Sequence, residues 1–317
     1  MKRPEQFINA FESENNEHDQ ELEKYSSRVL LHFTRHGEKA SDPGKKNEEQ
    51  RLTPKGRLEG LAKGRQRGQG EKTSVAFGGL ERSQEIAGFE MAGAHLAEEI
   101  TGEETLEELR VKLDQDLKFG TRLGVDRRLG FEYHDETYEK IKDQAYAQNR
   151  GLEFFVKESD RLASELKDNK STTYSRSAAS VAELLGKYIA IASRFDEIVS
   201  DEKNRQQYGS VLERFMGSHN AVIDCFLCKL VEKLKGSEER DKLIAVLGRQ
   251  GFAPTEGFEV EIDTLANQQP PIVRLKYHKE DREGNLIFDF NEVIPSQLLK
   301  KLVADGKLEE PKDWTKQ

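Results

Sequence analysis

The chain has 317 residues, 34% charged and 35% hydrophobic, with 59 acidic against 50 basic side chains and a formal net charge of −9. That balance excludes wholesale nucleic-acid binding, which needs a basic domain or stripe, and no apolar run reaches the roughly 18 to 20 residues that cross a bilayer. Two cysteines make no disulfide framework, and no hydrophobic signal region follows Met1-Lys2-Arg3-Pro4, so the expectation is a cytoplasmic protein without a membrane partner.

Residues 1–26 hold seven acidic and three basic side chains and read as a polar N-terminal extension, with one short helix around Glu5 to Glu12. Residues 27–317 read as one α/β domain. Its first strand, about Arg28 to Thr34, is apolar almost throughout, the pattern of a strand covered by helices on both faces. Arg35-His36-Gly37-Glu38 follows directly. From Lys39 to Gly70 nine basic residues face four acidic ones, a stretch that either draws an anionic substrate or is a solvated helix face.

Thr53-Pro54 supplies an N-cap and a first-turn proline for a helix running to about Gly68, with Gly64, Gly68 and Gly70 weakening its end. Thr73 to Phe77 is β-prone, and after Gly78-Gly79 a helix spans Arg82 to Ala97. A charged helix at Thr105 to Lys118 precedes Phe119 to Tyr133, which is broken by glycine and reads as loop. Helical spacing then covers Asp135 to Lys167 and Ser175 to Ile198, so residues from about 100 to 205 form a helical insertion.

Val211 to Met216 is the next strand, ending at Gly217-Ser218-His219-Asn220. An apolar helix at Ala221 to Leu234 contains Cys225 and Cys228, read as buried helix cysteines, and a further helix lies near Asp241 to Leu247. Strands at Gly257 to Asp263, Ile272 to His278 and Asn285 to Phe290, within about 257–292, extend the edge of the sheet. The expected architecture is a three-layer α/β/α sandwich with a mostly parallel sheet.

Ligands of open α/β sheets bind beyond the carboxyl ends of the strands. Three such ends carry Arg35-His36, Arg82 and His219. A neutral imidazole can attack phosphorus and split one displacement into two easier ones. Two guanidinium forks match the oxygens of a phosphoryl group, and a second imidazole, if protonated, adds a donor. His32, His95 and His134 read as structural. Lys45, Lys46, Arg51, Arg122 and Arg128 could widen the anion site.

Four segments resemble the histidine phosphatase superfamily, also called phosphoglycerate mutase-like. They are Thr34-Arg35-His36-Gly37-Glu38, Leu52-Thr53-Pro54-Lys55-Gly56, Gly79-Leu80-Glu81-Arg82-Ser83-Gln84-Glu85-Ile86-Ala87 and Gly217-Ser218-His219. The match covers about residues 28–95 and 205–235. It implies a phosphomonoesterase that phosphorylates His36 and holds phosphate with Arg35, Arg82 and His219, without metal or organic cofactor. The substrate would be a small-molecule phosphate ester or a phosphoprotein, and nucleic acid is not expected as a partner. Asp126-Arg127-Arg128-Leu129-Gly130-Phe131-Glu132 resembles the segment that carries the general acid, nominating Glu132, with Asp126, Asp135 and Glu136 as rivals. Glu38, Asp42, Asn220 and Arg128 are candidate substrate contacts.

Three departures bear on the branch. Asp42 stands where sugar-phosphate mutases tend to carry asparagine, and Gly79 where serine or threonine is usual. Asn220 replaces the aspartate of the acid phosphatase and phytase branch. Hydrolysis is therefore expected, with a mutase-type phosphotransferase or a catalytically weak phosphate-binding regulatory module as alternatives.

Overall fold

The computed structural model describes residues 26–67, 70–116, 123–265 and 270–308. The N-terminal extension expected before residue 26 and Arg122 lie outside the described residues. The first part of the chain forms β1 (Ser27–Arg35), α1 (Pro54–Arg67), β2 (Val75–Gly78), α2 (Glu81–Ala94), α3 (Leu106–Asp116) and a short β3 (Leu123–Val125). Next come α4 (Glu136–Ala147) and α5 (Gly151–Phe154), which passes through a π-helical turn (Phe155–Ser159) into α6 (Asp160–Leu166), then α7 (Tyr174–Val199) and α8 (Glu202–Tyr208). The last part comprises β4 (Val211–Ser218), α9 (Asn220–Lys235), α10 (Ser237–Leu247), β5 (Gly257–Thr264), β6 (Ile272–Glu280), β7 (Leu286–Val293) and α11 (Ser296–Leu308).

These strands form a seven-stranded sheet in the order β3-β2-β4-β1-β5-β6-β7. The expected mostly parallel sheet is instead mixed. β3, β2, β4 and β1 run parallel, whereas β5, β6 and β7 each pair antiparallel with the strand before them in that order. Short connections between β5, β6 and β7 leave no room for the crossover that a parallel pair requires. The β6–β7 turn is tied by the Asp281 carboxylate, which accepts from the backbone N–H of Glu283 and Asn285 at 2.8 and 2.9 Å.

β1 lies between β4 and β5, which explains its apolar run. Val29, Leu31, Phe33 and Met216 belong to one buried cluster together with α7 and α9 side chains, while Phe215 belongs to a second with Ala76, Ala87, Phe89 and Leu61. Adjacent β4 residues thus serve different cores, as strand alternation requires. Cys225 and Cys228 are free and buried on α9, as read from the sequence. Among the described residues no helix is long and apolar enough to cross a membrane.

Helix α2 is buried along nearly its whole length. α1 approaches it closely enough that a Cβ on Gly64 would sit 1.9 Å from the Glu90 carbonyl oxygen. Gly64 therefore permits helix contact rather than weakening a helix end. The charged groups beneath α1 form a closed set. Arg67 donates to Glu90 at 2.7 Å, and the two ring nitrogens of His32 face Glu213 at 3.0 Å and Glu259 at 2.9 Å.

Two further differences concern short or unsignalled segments. The loop expected over Phe119 to Tyr133 contains β3, which pairs with β2, and one 3-10 turn at Arg127–Leu129. The helical reading of Asp135 to Lys167 is broken after Ala147, where Asn149 takes a φ of 59°.

Candidate active site

Register brings the strand ends together. In the parallel β1–β4 pair Thr34 faces Gly217 and Arg35 faces Ser218, and Gly78 of β2 faces Gly217 from the other side. The chain therefore leaves all three strands at one level. The His36 backbone N–H donates to the Ser218 carbonyl at 3.0 Å, and the His36 and His219 rings lie edge to face with centroids 5.0 Å apart.

Arg82 sits in the first turn of α2, which starts immediately beyond β2 because the backbone there is crowded. A Cβ on Gly78 would lie 2.3 Å from the Gln84 nitrogen, and one on Gly79 would lie 2.0 Å from the Gly130 nitrogen. Serine or threonine at 79 would collide with that chain, so this departure has a local steric cause.

His36 is 8% exposed, and its Nδ1 is 2.8 Å from its neighbour Gly37's carbonyl oxygen. A carbonyl only accepts, so Nδ1 carries the proton and the Nε2 lone pair is available. Burial, and then the positive charges of Arg82, Arg35 and Lys39, push its pKa down to about 3 despite the Gly37 hydrogen bond. The ring is neutral at physiological pH. His219 is 1% exposed and is driven well below the ordinary imidazole range by burial, Arg82, His36, Arg35 and Lys39. Neither of its ring nitrogens has a hydrogen-bond partner among the described residues.

Around the rings, Arg35 donates Nη1 to the Phe252 carbonyl, and Arg82, itself 1% exposed, donates Nη1 to the Asn47 carbonyl. The Arg82 guanidinium carbon lies 5.5 Å from the centre of the Phe131 ring, and that ring stands edge-on to His219 at 4.8 Å. Arg35, His36, Arg82 and His219 are thus one cluster.

Other nominated residues lie outside it. The Glu132 side chain is 67% exposed, and its carboxylate is 3.1 Å from His134 Nε2. Asp126 caps the 3-10 turn and holds Arg128 through contacts of 2.8 and 2.6 Å, which commits both residues to each other. Asp135 caps α4 by accepting from the Tyr138 N–H at 2.9 Å, and Glu136 is exposed on the first turn of that helix. Glu38 accepts from the Thr53 hydroxyl at 2.9 Å and pins its loop to α1. Asp42 accepts from the Gly44 N–H at 2.9 Å and is half exposed. Asn220 donates to the Gln250 carbonyl at 3.0 Å and accepts from Tyr146 at 3.4 Å. Lys45 is 3.9 Å from Asp42 and Arg51 is 2.7 Å from Glu81, both at the surface.

Asn47 and Phe131, which touch the cluster, and Lys39, Tyr133 and Lys142, which stand behind them, were not nominated by the sequence reading. Lys39 donates Nζ to the Asn47 side-chain oxygen, and Lys142 from α4 places its Nζ 3.7 Å over the Tyr133 ring. A signal for the aromatic pair existed. Phe131-Glu132-Tyr133-His134 alternates apolar and polar, so Phe131 and Tyr133 share one side of an extended segment and Glu132 takes the other. Among the described residues no group of three or more His, Cys, Asp or Glu is placed to hold a metal ion.

No family model and no curated protein matches the chain. Solved structures do. The chain is similar to mycobacterial hydrolase 2, with 15% identity over 88% of this chain and 97% of that one and a TM-score of 0.42. It is also similar to mycobacterial glucosyl-3-phosphoglycerate phosphatase, with 16% identity over 74% and 89% of the two chains and a TM-score of 0.37. The VO3 complex of that phosphatase gives 16% identity over 78% and 97%, with a TM-score of 0.38.

Proposed function

We propose that the chain is a phosphomonoester phosphatase of the histidine phosphatase type that works through a phosphohistidine on His36. The observation that carries this reading is the Nδ1 contact to the Gly37 carbonyl, which leaves Nε2 unprotonated beside two guanidinium groups and a second imidazole. In the first step Nε2 attacks phosphorus, the bond to the ester oxygen breaks, and the departing oxygen takes a proton from water. A second water, giving its proton to the hydroxide left by the first step, then attacks phosphorus, the N–P bond breaks, and phosphate leaves with His36 neutral again. Arg35 and Arg82 hold the three peripheral oxygens, and phosphate binding raises the basicity of His219 so that it donates as a third partner.

In this reading the helical insertion at about residues 100–205 covers the site. The substrate is a small phosphate ester or a phosphoprotein, and the free buried cysteines suit a reducing, cytoplasmic setting. The test is hydrolysis of an aryl phosphate without added metal, combined with rapid quenching into base and intact-mass detection of the phosphorylated chain. Wild type should accumulate or turn over the adduct and His36→Ala should do neither. Full turnover by His36→Ala would overturn the proposal.

One observation favours a second reading, a phosphate-binding module with weak turnover. Phe131 packs on His219 while the Glu132 carboxylate is turned to solvent, so the nominated acid is not beside the leaving group. That module would bind vanadate tightly and turn over aryl and alkyl phosphates only negligibly.

A further inference from the structure

Arg35 is held at three points by the segment that joins α10 to β5. Its backbone N–H donates to the Glu256 carbonyl at 2.8 Å, its carbonyl accepts from the Thr255 N–H at 3.1 Å, and its guanidinium donates through Nη1 to the Phe252 carbonyl. The last contact fixes the direction of the guanidinium fork, on which two-pronged binding of a phosphoryl group depends.

The segment does not take this shape unaided. Gly251 has a φ of 82° and Thr255, which carries a side chain, a φ of 62°, and a non-glycine residue stays in that region only where its surroundings fix it. Three elements do so. From α1, Lys63 donates to the Thr255 carbonyl at 2.5 Å and to the Thr34 hydroxyl at 3.1 Å. From β6, the Tyr277 hydroxyl and the Lys279 ammonium donate to one oxygen of Glu256 at 2.8 and 2.6 Å, while its other oxygen accepts from the Ala253 N–H at 2.7 Å. From α9, Asn220 donates to the Gln250 carbonyl at 3.0 Å, and one turn later Asp224 accepts from the Phe252 N–H at 3.1 Å.

Asp224 is the anchor that packing alone does not explain. It is 1% exposed, and its Oδ1 has no hydrogen-bond partner among the described residues. Burying a carboxyl group for a single hydrogen bond costs more stability than that bond supplies, and such local costs concentrate at functional sites. The absent side chain of Gly251 makes room for it, since a Cβ there would lie 1.6 Å from Asp224 Oδ2. Phe252 thus directs its N–H to Asp224 and its carbonyl to Arg35, with its ring set against Tyr277 at a centroid distance of 5.4 Å.

We propose that Asp224 is a positioning residue that sets the direction of the Arg35 guanidinium through Phe252, with Lys63 holding the far end of the same segment. This rests on the phosphate-pocket reading above.

Vanadate binding, followed by titration calorimetry, tests the proposal without requiring turnover. Asp224→Leu leaves the Phe252 N–H without an acceptor and should weaken vanadate about tenfold, the scale of one buried hydrogen bond left unmade. Asp224→Asn supplies an acceptor again. Burial raises the Asp224 pKa well above the ordinary carboxylate range, so a neutral amide is the matched replacement, and affinity should return to within about threefold of wild type. A double-mutant cycle separates positioning from a general loss of structure. In Arg35→Ala, which keeps His36, Arg82 and His219 for vanadate, Asp224→Leu should change affinity by less than about twofold. An equal loss in both backgrounds, or an Asp224→Asn variant as weak as Asp224→Leu, would overturn the proposal. If Asp224→Leu does not fold, Lys63→Met carries the test from the partly exposed face of α1. It should weaken vanadate about threefold or more, and an affinity unchanged from wild type would equally overturn the proposal. Wild type that binds no vanadate would overturn the phosphate pocket itself, and this inference with it.

Discussion

Gly217→Ala should damage both stability and catalysis, because Gly217 is where β4 and the first turn of α2 touch. An added Cβ would lie 1.8 Å from the Ser83 carbonyl oxygen, 2.8 Å from the Ser83 carbonyl carbon and 2.9 Å from Ile86 Cγ2. An ordinary carbon–oxygen contact is about 3.3 Å or longer, so α2 must retreat by roughly 1.5 Å or β4 must leave its register. A backbone carbonyl cannot swing aside as a side chain could. Overpacking of a rigid core costs about 1–3 kcal/mol, and this contact belongs at the upper end, which corresponds to a Tm loss of roughly 6–12 °C for a large domain. Arg82 immediately precedes Ser83, so its guanidinium moves with the helix, and a displacement of about 1 Å at a positioning group can cost ~100-fold in rate. Thermal denaturation and kcat/KM for an aryl phosphate measure the two effects on one preparation. A Tm within about 2 °C and kcat/KM within about threefold of wild type would refute the claim that Gly217 sets the position of Arg82.

Three other outcomes follow from the same packing and electrostatics. Burial and Arg82 hold the His36 pKa down to about 3, so in the proposed phosphohistidine route the neutral ring is lost only as pH falls through that value. The kcat/KM profile should show no histidine limb near pH 6.5, and an inflection there that stays fixed across esters of different acidity would contradict this. Burial alone would lower the His32 pKa, but hydrogen bonds to Glu213 and Glu259 reverse that and raise it. A raised base contributes stability in full below about pH 6.5, and loses it as pH rises through its folded value. The unfolding free-energy gap between wild type and His32→Gln should therefore be larger at pH 6 than at pH 9, and denaturant titrations giving a gap independent of pH would refute it. Glu132→Gln should change kcat by less than about threefold, whereas a ~100-fold loss, the lower range for a general acid, would restore Glu132 to that role.

The strand-end cluster was legible because it depends on local signals whose spatial consequence is simple. An apolar strand followed by Arg35-His36, a glycine-paired turn before Arg82 and a strand ending in Gly217-Ser218-His219 need only parallel pairing in the observed register to meet. Lys142 had no such signal. Its approach to the site depends on how α4 packs against Tyr133, and helix periodicity does not encode a partner. A mostly parallel sheet was expected from the strand-helix alternation of the first part of the chain, whereas β5, β6 and β7 follow one another with connections too short for helices and pair antiparallel. α11 was not singled out at all, although Leu299 and Leu302 are buried on it.

Glu132 shows most clearly why a motif can point one residue away from the chemistry. Phe131 to His134 is extended, and its backbone is held against the segment before α7. The Glu132 N–H donates to the Thr172 hydroxyl at 2.9 Å, and the His134 N–H donates to the Ser171 hydroxyl at 2.8 Å. With those two anchors fixed, alternation turns Phe131 and Tyr133 to one side and the Glu132–His134 pair to the other. Bringing Glu132 beside His219 would require a one-residue slip that exposes both aromatic rings and breaks both anchors. The ring of Phe131 is also what borders Arg82 and His219. Substituting glutamate there would set a carboxylate against the pocket arginine, and Phe131→Glu should convert weak turnover of alkyl phosphates into a gain of at least about tenfold if proton delivery is what limits the reaction. No gain in a folded variant that still binds vanadate would show that proton delivery is not the limiting step.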